Sequence, residues 1–358
     1  MIKLHDYVVS KTTARISEAE LNFLSLSGRK AFHSQGIYGQ DTIVAVVDTG
    51  VTPHQELRGK ILTGKSFVTY TNRTFDDNGH GTHVAGTIAG STVGIAPGAK
   101  ILPVKVLDSE GSGSLENLVQ GLEWVSRYNS RDRGRVSVVN MSLSVEDDLT
   151  EEEKTSFHNA IKALVDNDIA VIVSAGNTGK EDIRYPAAFP EVISVGAVDI
   201  NQERAMFSTM GEHIDVCQIG VDVVSSWYKG GYAVMSGTSM SAPMVSGISA
   251  LIASKYKETF AEVITEDYLW KSIKISTKDL GIEGADREYG TGFCTLQPLE
   301  VKMVVKNNSQ ILKVNEQVYK LDREINITDG SFWLPGGVMG DVTGAYVNYV
   351  DDTLKYSY

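Results

Sequence analysis

The chain has 358 residues, 42% hydrophobic and 22% charged, with 33 Lys plus Arg against 45 Asp plus Glu, a formal charge of −12. Those proportions exclude global disorder and leave room for about two domains around one large core. The acidic excess argues against nucleic acid as a partner, because phosphate backbones need a basic footprint.

No run of about 18 apolar residues is present to span a membrane, and the opening MIKLHDYVVSKTTAR lacks the apolar core of a secretory signal. A cytoplasmic location with no membrane partner is therefore expected. Only Cys217 and Cys294 occur, so no disulfide framework is implied.

In chain order, residues 1–28 lack strand and helix alternation and read as an N-terminal extension. Ser17 and Glu20 fit a capping box opening a short helix that Gly28 ends, and a second short helix is expected from Arg29 toward Gly36. From there, β-branched runs at 43–50, 100–108, 135–144, 169–177 and 192–199 read as strands buried on both faces. Between them, residues 115–128 and 155–167 repeat apolar side chains at helical spacing. This alternation predicts an α/β fold, a mainly parallel sheet with helices on both faces, over residues 29–298. Residues 299–358 change to period-two alternation. Turns at Asn315-Glu316 and Asp351-Asp352 and a loop at Pro335, Gly336 and Gly337 suggest a small β-rich module.

Ligands bind beyond the carboxyl ends of strands in such sheets. Three segments there combine a reactive side chain with small neighbours: Asp48 in V-V-D-T-G, His83 in D-N-G-H-G-T-H-V-A-G-T, and Ser239 in S-G-T-S-M-S-A-P-M. A carboxylate, an imidazole and a hydroxyl are what nucleophilic acyl transfer needs. Each has a plainer reading. Asp48 alone would be a turn residue, His83 a buried structural histidine and Ser239 a helix cap. His80 and His83 with Asp76 or Asp77 could be offered as metal ligands, but no third ligand stands at a diagnostic spacing.

Order along the chain narrows the architecture. No histidine follows Ser239, which rules out the Ser, Asp, His order of α/β-hydrolases, and Gly237-Thr-Ser239-Met-Ser241 lacks the second glycine of their nucleophile elbow. Double β-barrels do not suit the alternating pattern. An Asp, His, Ser order on an α/β sheet remains.

These three segments resemble, in order and spacing, the catalytic signatures of subtilisin-family serine proteases, the subtilases, most closely the intracellular subtilisins. The resemblance spans roughly residues 30–297 and implies a triad of Asp48, His83 and Ser239. It makes S-A-G-N (Ser174, Ala175, Gly176 and Asn177) the end of the oxyanion strand, with Asn177 as amide donor. It makes Ser142, Leu143 and Ser144 the lining of the specificity pocket and Gly111, Ser112 and Gly113 the edge that pairs with substrate backbone. Both segments would bind an extended peptide as an added strand.

Departures also follow from the resemblance. Ser144 replaces the family's usual glycine, which is expected to narrow the pocket; Met244 follows Pro243 where the family has histidine; and Gln218-Ile219-Gly220 replaces a usual A-P-G. The loop between the histidines and Pro97 lacks the insertion that carries a strong calcium site in many secreted members. A weaker structural calcium at Asp215 with the oxygens of Pro190 and Val192 is left open, and no cofactor is expected for the chemistry. The extension is too short for a folded inhibitory prodomain and lacks the proline-containing blocking motif of intracellular members. Restraint of activity by residues 1–28 is an expectation from its length and position. The last sixty residues resemble stalk-like modules of bacterial surface proteins, which points outward instead, and leave self-association open. The expected function is a serine endopeptidase acting on extended polypeptide segments through an acyl-enzyme; the alternative is a degenerate subtilase serving as a peptide-binding scaffold.

Overall fold

The computed structural model describes residues 1–130, 134–145 and 148–296, and beyond them only the strand segments between 303 and 357. The chain divides into two units, Met1–Leu296 and Gln297–Tyr358.

In the first unit, the valine and isoleucine runs form a nine-stranded sheet. Its order is Thr277–Lys278, Phe293–Cys294, Val216–Ile219, Ile193–Val198, Ala170–Ser174, Val138–Met141, Ile43–Asp48, Lys100–Lys105, Lys65–Ser66. Every neighbouring pair is parallel except the edge strand Thr277–Lys278, which runs antiparallel to Phe293–Cys294.

Alternation along each strand feeds two separate cores. Val44, Val46, Val138 and Ile172 pack with Val84, Ile88, Val245 and Ile248 of the helices His80–Ala89 and Thr238–Phe260. Ile43, Val47, Val139 and Val171 face the other way, onto Leu118, Leu122, Phe157 and Ile161 of the helices Leu115–Ser126 and Glu151–Val165. The helices on this second face open on side-chain caps. Ser114 accepts from the Asn117 N–H, and Thr150 and Glu153 close a reciprocal capping box. The sheet with helices on both faces agrees with the periodicity of the sequence.

The extension departs from the sequence reading. The Ser17–Glu20 box forms, and Gly28 at φ 73° separates the short helices Phe23–Leu26 and Arg29–His33. Before them, however, stand two strands that no alternation announced. Val8–Thr13 pairs antiparallel with Tyr232–Ser236, and Ile2–Lys3 lies between Ser112–Gly113 and Ser144–Val145.

In the second unit, Ser309–Val314 pairs antiparallel with both Gln317–Ile325 and Met303–Val305, and Tyr346–Val350 with Thr353–Ser357. The expected turns at Asn315-Glu316 and Asp351-Asp352 and the Pro335 loop lie outside the described residues, although the strands on either side of each turn pair as hairpins do.

Candidate active site

Asp48 ends the Ile43–Asp48 strand and is fully buried. Its Oδ1 accepts from the Thr49 N–H at 2.7 Å. Both carboxylate oxygens lie 2.9 Å from one imidazole nitrogen, and that nitrogen is Nδ1 of His80.

The histidine expectation is thereby corrected: His80, not His83, meets Asp48. An Nδ1 between two carboxylate oxygens must be the donor, so in the neutral ring Nε2 carries the lone pair. Among the described residues that Nε2 is buried and without a hydrogen-bond partner. His83 lies one turn further along the same helix and turns to the hairpin behind it. Its Nε2 sits 3.1 Å from the Val223 carbonyl and 3.2 Å from the Ala233 carbonyl. Two acceptors fix the proton on Nε2, and burial, with the charge of His80 adding to it, drives the His83 pKa down to about 3. His83 is a neutral structural ring. The two histidines also point at different partners, which removes them as a joint metal site.

Asp76, offered in the sequence only as a metal ligand, instead locks this arrangement. Asp76 Oδ1 accepts from Thr49 Oγ and from the N–H groups of Asn78 and Gly79, while Oδ2 accepts from the N–H and hydroxyl of Thr82. Thr49 Oγ in turn accepts from the Gly81 N–H at 3.0 Å. The loop after Asp48 and the first turn of the His80 helix are thus tied to one side chain. Gly81 permits the close approach, since a Cβ there would stand 2.1 Å from the Gly50 carbonyl. From the neighbouring strand, the buried ammonium of Lys105 donates to the carbonyls of Thr49 and Leu107 and to Asp77.

Ser239 is the second residue of the Thr238–Phe260 helix and fully buried. Pro243, four residues on, has no N–H to give the Ser239 carbonyl, and Ser142 Oγ supplies the bond instead at 3.2 Å. The Ser239 hydroxyl points back at the Ser142 carbonyl, 3.4 Å away. Asn177 follows the end of the Ala170–Ser174 strand. Its Oδ1 accepts from both the N–H and the hydroxyl of Thr238, so its NH₂ group must face the cleft.

The expected substrate edges do bind an extended strand, and the occupant is the chain's own beginning. Ile2 pairs with Gly113 and Val145, Lys3 with Ser112 and Ser144, and the Leu4 N–H reaches the Gly111 carbonyl at 2.9 Å. His5 lines a cavity of about 220 Å³ together with Ser144, Ala175, Gly176, Asp182 and Arg184. Burial lowers its pKa to about 4, the charges of His80 and Arg184 pull the same way, and a main-chain bond to Ser174 opposes them. The Asp6 carbonyl takes the hydrogen of the Asn177 amide at 2.5 Å. Tyr7 then spans the centre. Its ring lies 5.1 Å from that of His80, and its Cβ stands 3.5 Å from where a Cβ on Gly237 would be, just before Ser239. The segment touches His80, Asn177 and the start of the Ser239 helix together.

Asp215 sends Oδ2 to the Ser194 N–H, and burial raises its pKa to about 6 against the pull of that bond and of Lys274. No group of three His, Cys, Asp or Glu that could hold a metal ion occurs among the described residues. A calcium here would have one carboxylate and would draw its remaining oxygens from main chain such as Pro190 and Val192, a donor set that fits only a weak site.

The sequence model of the subtilase family matches residues 39–292. The thermostable alkaline protease of Halalkalibacterium halodurans is 40% identical over 238 residues, 65% of this chain and 62% of that protein. Subtilisin Savinase of Lederbergia lenta is 38% identical over 230 residues, 63% of this chain and 81% of that protein. The minor extracellular protease Epr of Bacillus subtilis is 34% identical over 297 residues, 81% of this chain and 43% of that protein. The chain therefore spans less than two thirds of the first and third of these relatives.

Proposed function

Because the chain belongs to the subtilase family, we propose that it is a serine endopeptidase cleaving extended polypeptide segments, with Asp48, His80 and Ser239 as its triad. The observation that carries this is the His80 ring, held by Nδ1 on both oxygens of Asp48, with its buried Nε2 unpartnered among the described residues.

In the proposed reaction the Ser239 hydroxyl turns from the Ser142 carbonyl to His80. Nε2 takes its proton as Oγ bonds to the substrate carbonyl carbon, and Asp48 holds the resulting imidazolium. The Asn177 NH₂ group and the Ser239 N–H, at the positive end of its helix, receive the oxyanion. His80 passes its proton to the leaving amine, and water releases the acyl group by the same steps in reverse order.

A second element of the reading is restraint by residues 2–7. The position of the Asp6 carbonyl on the Asn177 amide and of Tyr7 on His80 supports it, since substrate cannot enter while both are in place. No proline is needed for this, because Ile2 to Leu4 are held by strand pairing and the Asp6 carbonyl by Asn177.

A serine-directed covalent inhibitor tests the first element. Stoichiometric labelling lost in Ser239→Ala, together with hydrolysis of an unfolded protein substrate, is expected. Folded protein that is never labelled and cleaves nothing would leave the peptide-binding scaffold as the reading.

A further inference from the structure

On the face of the sheet that packs against the Thr238–Phe260 helix, Asn140 stands in register between Val46 and Ile172 and two residues after Val138, all three of them core residues. A buried amide among apolar side chains costs stability unless its groups are satisfied. Asn140 is satisfied at both ends: Oδ1 accepts from the Ser246 hydroxyl at 2.9 Å, and Nδ2 donates to Ser142 Oγ at 3.1 Å. Ser142 Oγ in turn donates to the Ser239 carbonyl. All four residues are fully buried. Because each hydroxyl has a single hydrogen, the bonds run in one direction, from Ser246 to Asn140 to Ser142 to Ser239.

We propose that Asn140 and Ser246 are positioning residues for the nucleophile, acting on Ser239 through Ser142. This rests on the proteolytic reading above. Pro243 denies the Ser239 carbonyl its bond within the helix, and a carbonyl released at a proline tilts away from the axis. Such a tilt would turn the Ser239 backbone, moving both the Cβ that carries the hydroxyl and the N–H offered to the oxyanion. The Ser142 hydroxyl opposes it only while its hydrogen points at that carbonyl. Asn140 ensures this by filling a lone pair on the other side of Ser142 Oγ. Ser246 secures Asn140 in the same way. With Oδ1 engaged, the amide cannot turn over and present its oxygen to Ser142, which would draw the Ser142 hydrogen away from Ser239.

Ser249 provides a matched control: it is equally buried on the same helix, but its hydroxyl bonds back to the Val245 carbonyl at 2.8 Å. Steady-state rates of the full-length proteins, held well below Tm, are divided by the number of sites that a serine-directed inhibitor labels. Asn140→Leu is expected to lower kcat about tenfold or more and Ser246→Ala at least about threefold, with KM within about twofold of the parent. Ser249→Ala is expected to keep the parent kcat. Parent kcat in either Asn140→Leu or Ser246→Ala, a loss that appears in KM alone, or an equal loss in Ser249→Ala overturns the proposal while leaving proteolysis standing. Should Asn140→Leu fail to fold, Ser246→Ala against Ser249→Ala decides. If the parent protein is neither labelled nor active, the proteolytic reading falls and this proposal with it.

Discussion

The side-chain amide of Asn177 donates to the main-chain carbonyl of Asp6, 171 residues earlier in the chain. That amide is aimed by Thr238, next to Ser239, which fixes the opposite end of the same side chain. The amide proposed to receive the oxyanion is therefore occupied by an internal carbonyl. The neighbouring segment is held by main-chain pairing on both sides, so occupancy is a property of the folded chain rather than of any added ligand.

Deleting residues 1–7 is expected to raise the initial rate on a short peptide substrate by about 100-fold or more, because tethering strengthens a competitor by about 10²–10⁴. A lag before full activity in the intact protein should disappear with it. A peptide of residues 1–13 added back should inhibit the shortened chain. Equal initial rates and no lag in either protein would dismiss the restraint.

The two histidines separate by variant. His80→Ala is expected to lower kcat by about 10⁶, a factor carried over from loss of the triad histidine in a subtilisin, with little change in Tm. His83→Ala removes the donor shared by the Val223 and Ala233 carbonyls. It should cost about 2–4 kcal/mol of stability and keep most of the activity at temperatures where the protein is folded. Thermal melts beside initial rates check both; a His83 variant that is stable but inactive would reverse the assignment.

Much of this was legible in the sequence, and the parts that were not share a cause. The parallel sheet, the positions of Asp48, Ser239 and Asn177 and the two peptide edges follow from periodicity and from the family signatures. His80 and His83 could not be told apart that way. Each is followed by small residues, three positions bring them onto neighbouring sides of one helix, and what distinguishes them is contact with Val223 and Ala233, about 140 and 150 residues away. The Ile2–Lys3 strand was equally hidden. Two residues carry no alternation, and the strand exists because the edges at Gly113 and Val145 wait on either side. Asp76 had a local signal, an aspartate before D-N-G, but its weight comes from Thr49 and Thr82 on separate elements.

Asp76 should behave as a positioning residue. Asp76→Ala strips acceptors from five hydrogen bonds at the start of the His80 helix. A fall in kcat of about 10- to 100-fold is expected, from displacement of His80 relative to Asp48, with KM nearly constant because no substrate edge is touched. Asp76→Asn, which keeps one acceptor oxygen, should recover part of the loss. A rise in KM alone, or a loss that Asn fails to relieve at all, would refute a positioning role.

Acid should loosen the segment. His5 has a lowered pKa of about 4 in the cleft against about 6.5 when free. The bound form therefore holds fewer protons than the free form between those values, and binding weakens as pH falls through that window. For a peptide of residues 1–13 and a Ser239→Ala chain lacking those residues, affinity is expected to drop about 10- to 30-fold from pH 7 to pH 5. Replacing His5 by Gln in the peptide should flatten the dependence. Calorimetric titration at the two pH values measures this, and equal slopes for both peptides would assign the effect to another group.

Asp215 gives the opposite slope. Its pKa is raised to about 6 in the fold from an ordinary value near 3.8, so the folded protein binds more protons than the unfolded chain in that interval. Stability contributed by the protonated form is present below about pH 4 and is lost as pH rises through 6, amounting to about 2–3 kcal/mol for a group so deeply buried. Asp215→Asn keeps an acceptor for the Ser194 N–H while removing the charge, and should raise Tm at pH 7 by a few degrees. A cation reverses the argument, because calcium bound beside Asp215 stabilises the ionised form. If Pro190 and Val192 complete such a site, millimolar calcium should raise Tm of the parent protein at pH 7 and leave Asp215→Asn unchanged. An identical response of both proteins to calcium places any binding elsewhere, and no response in either removes calcium from Asp215.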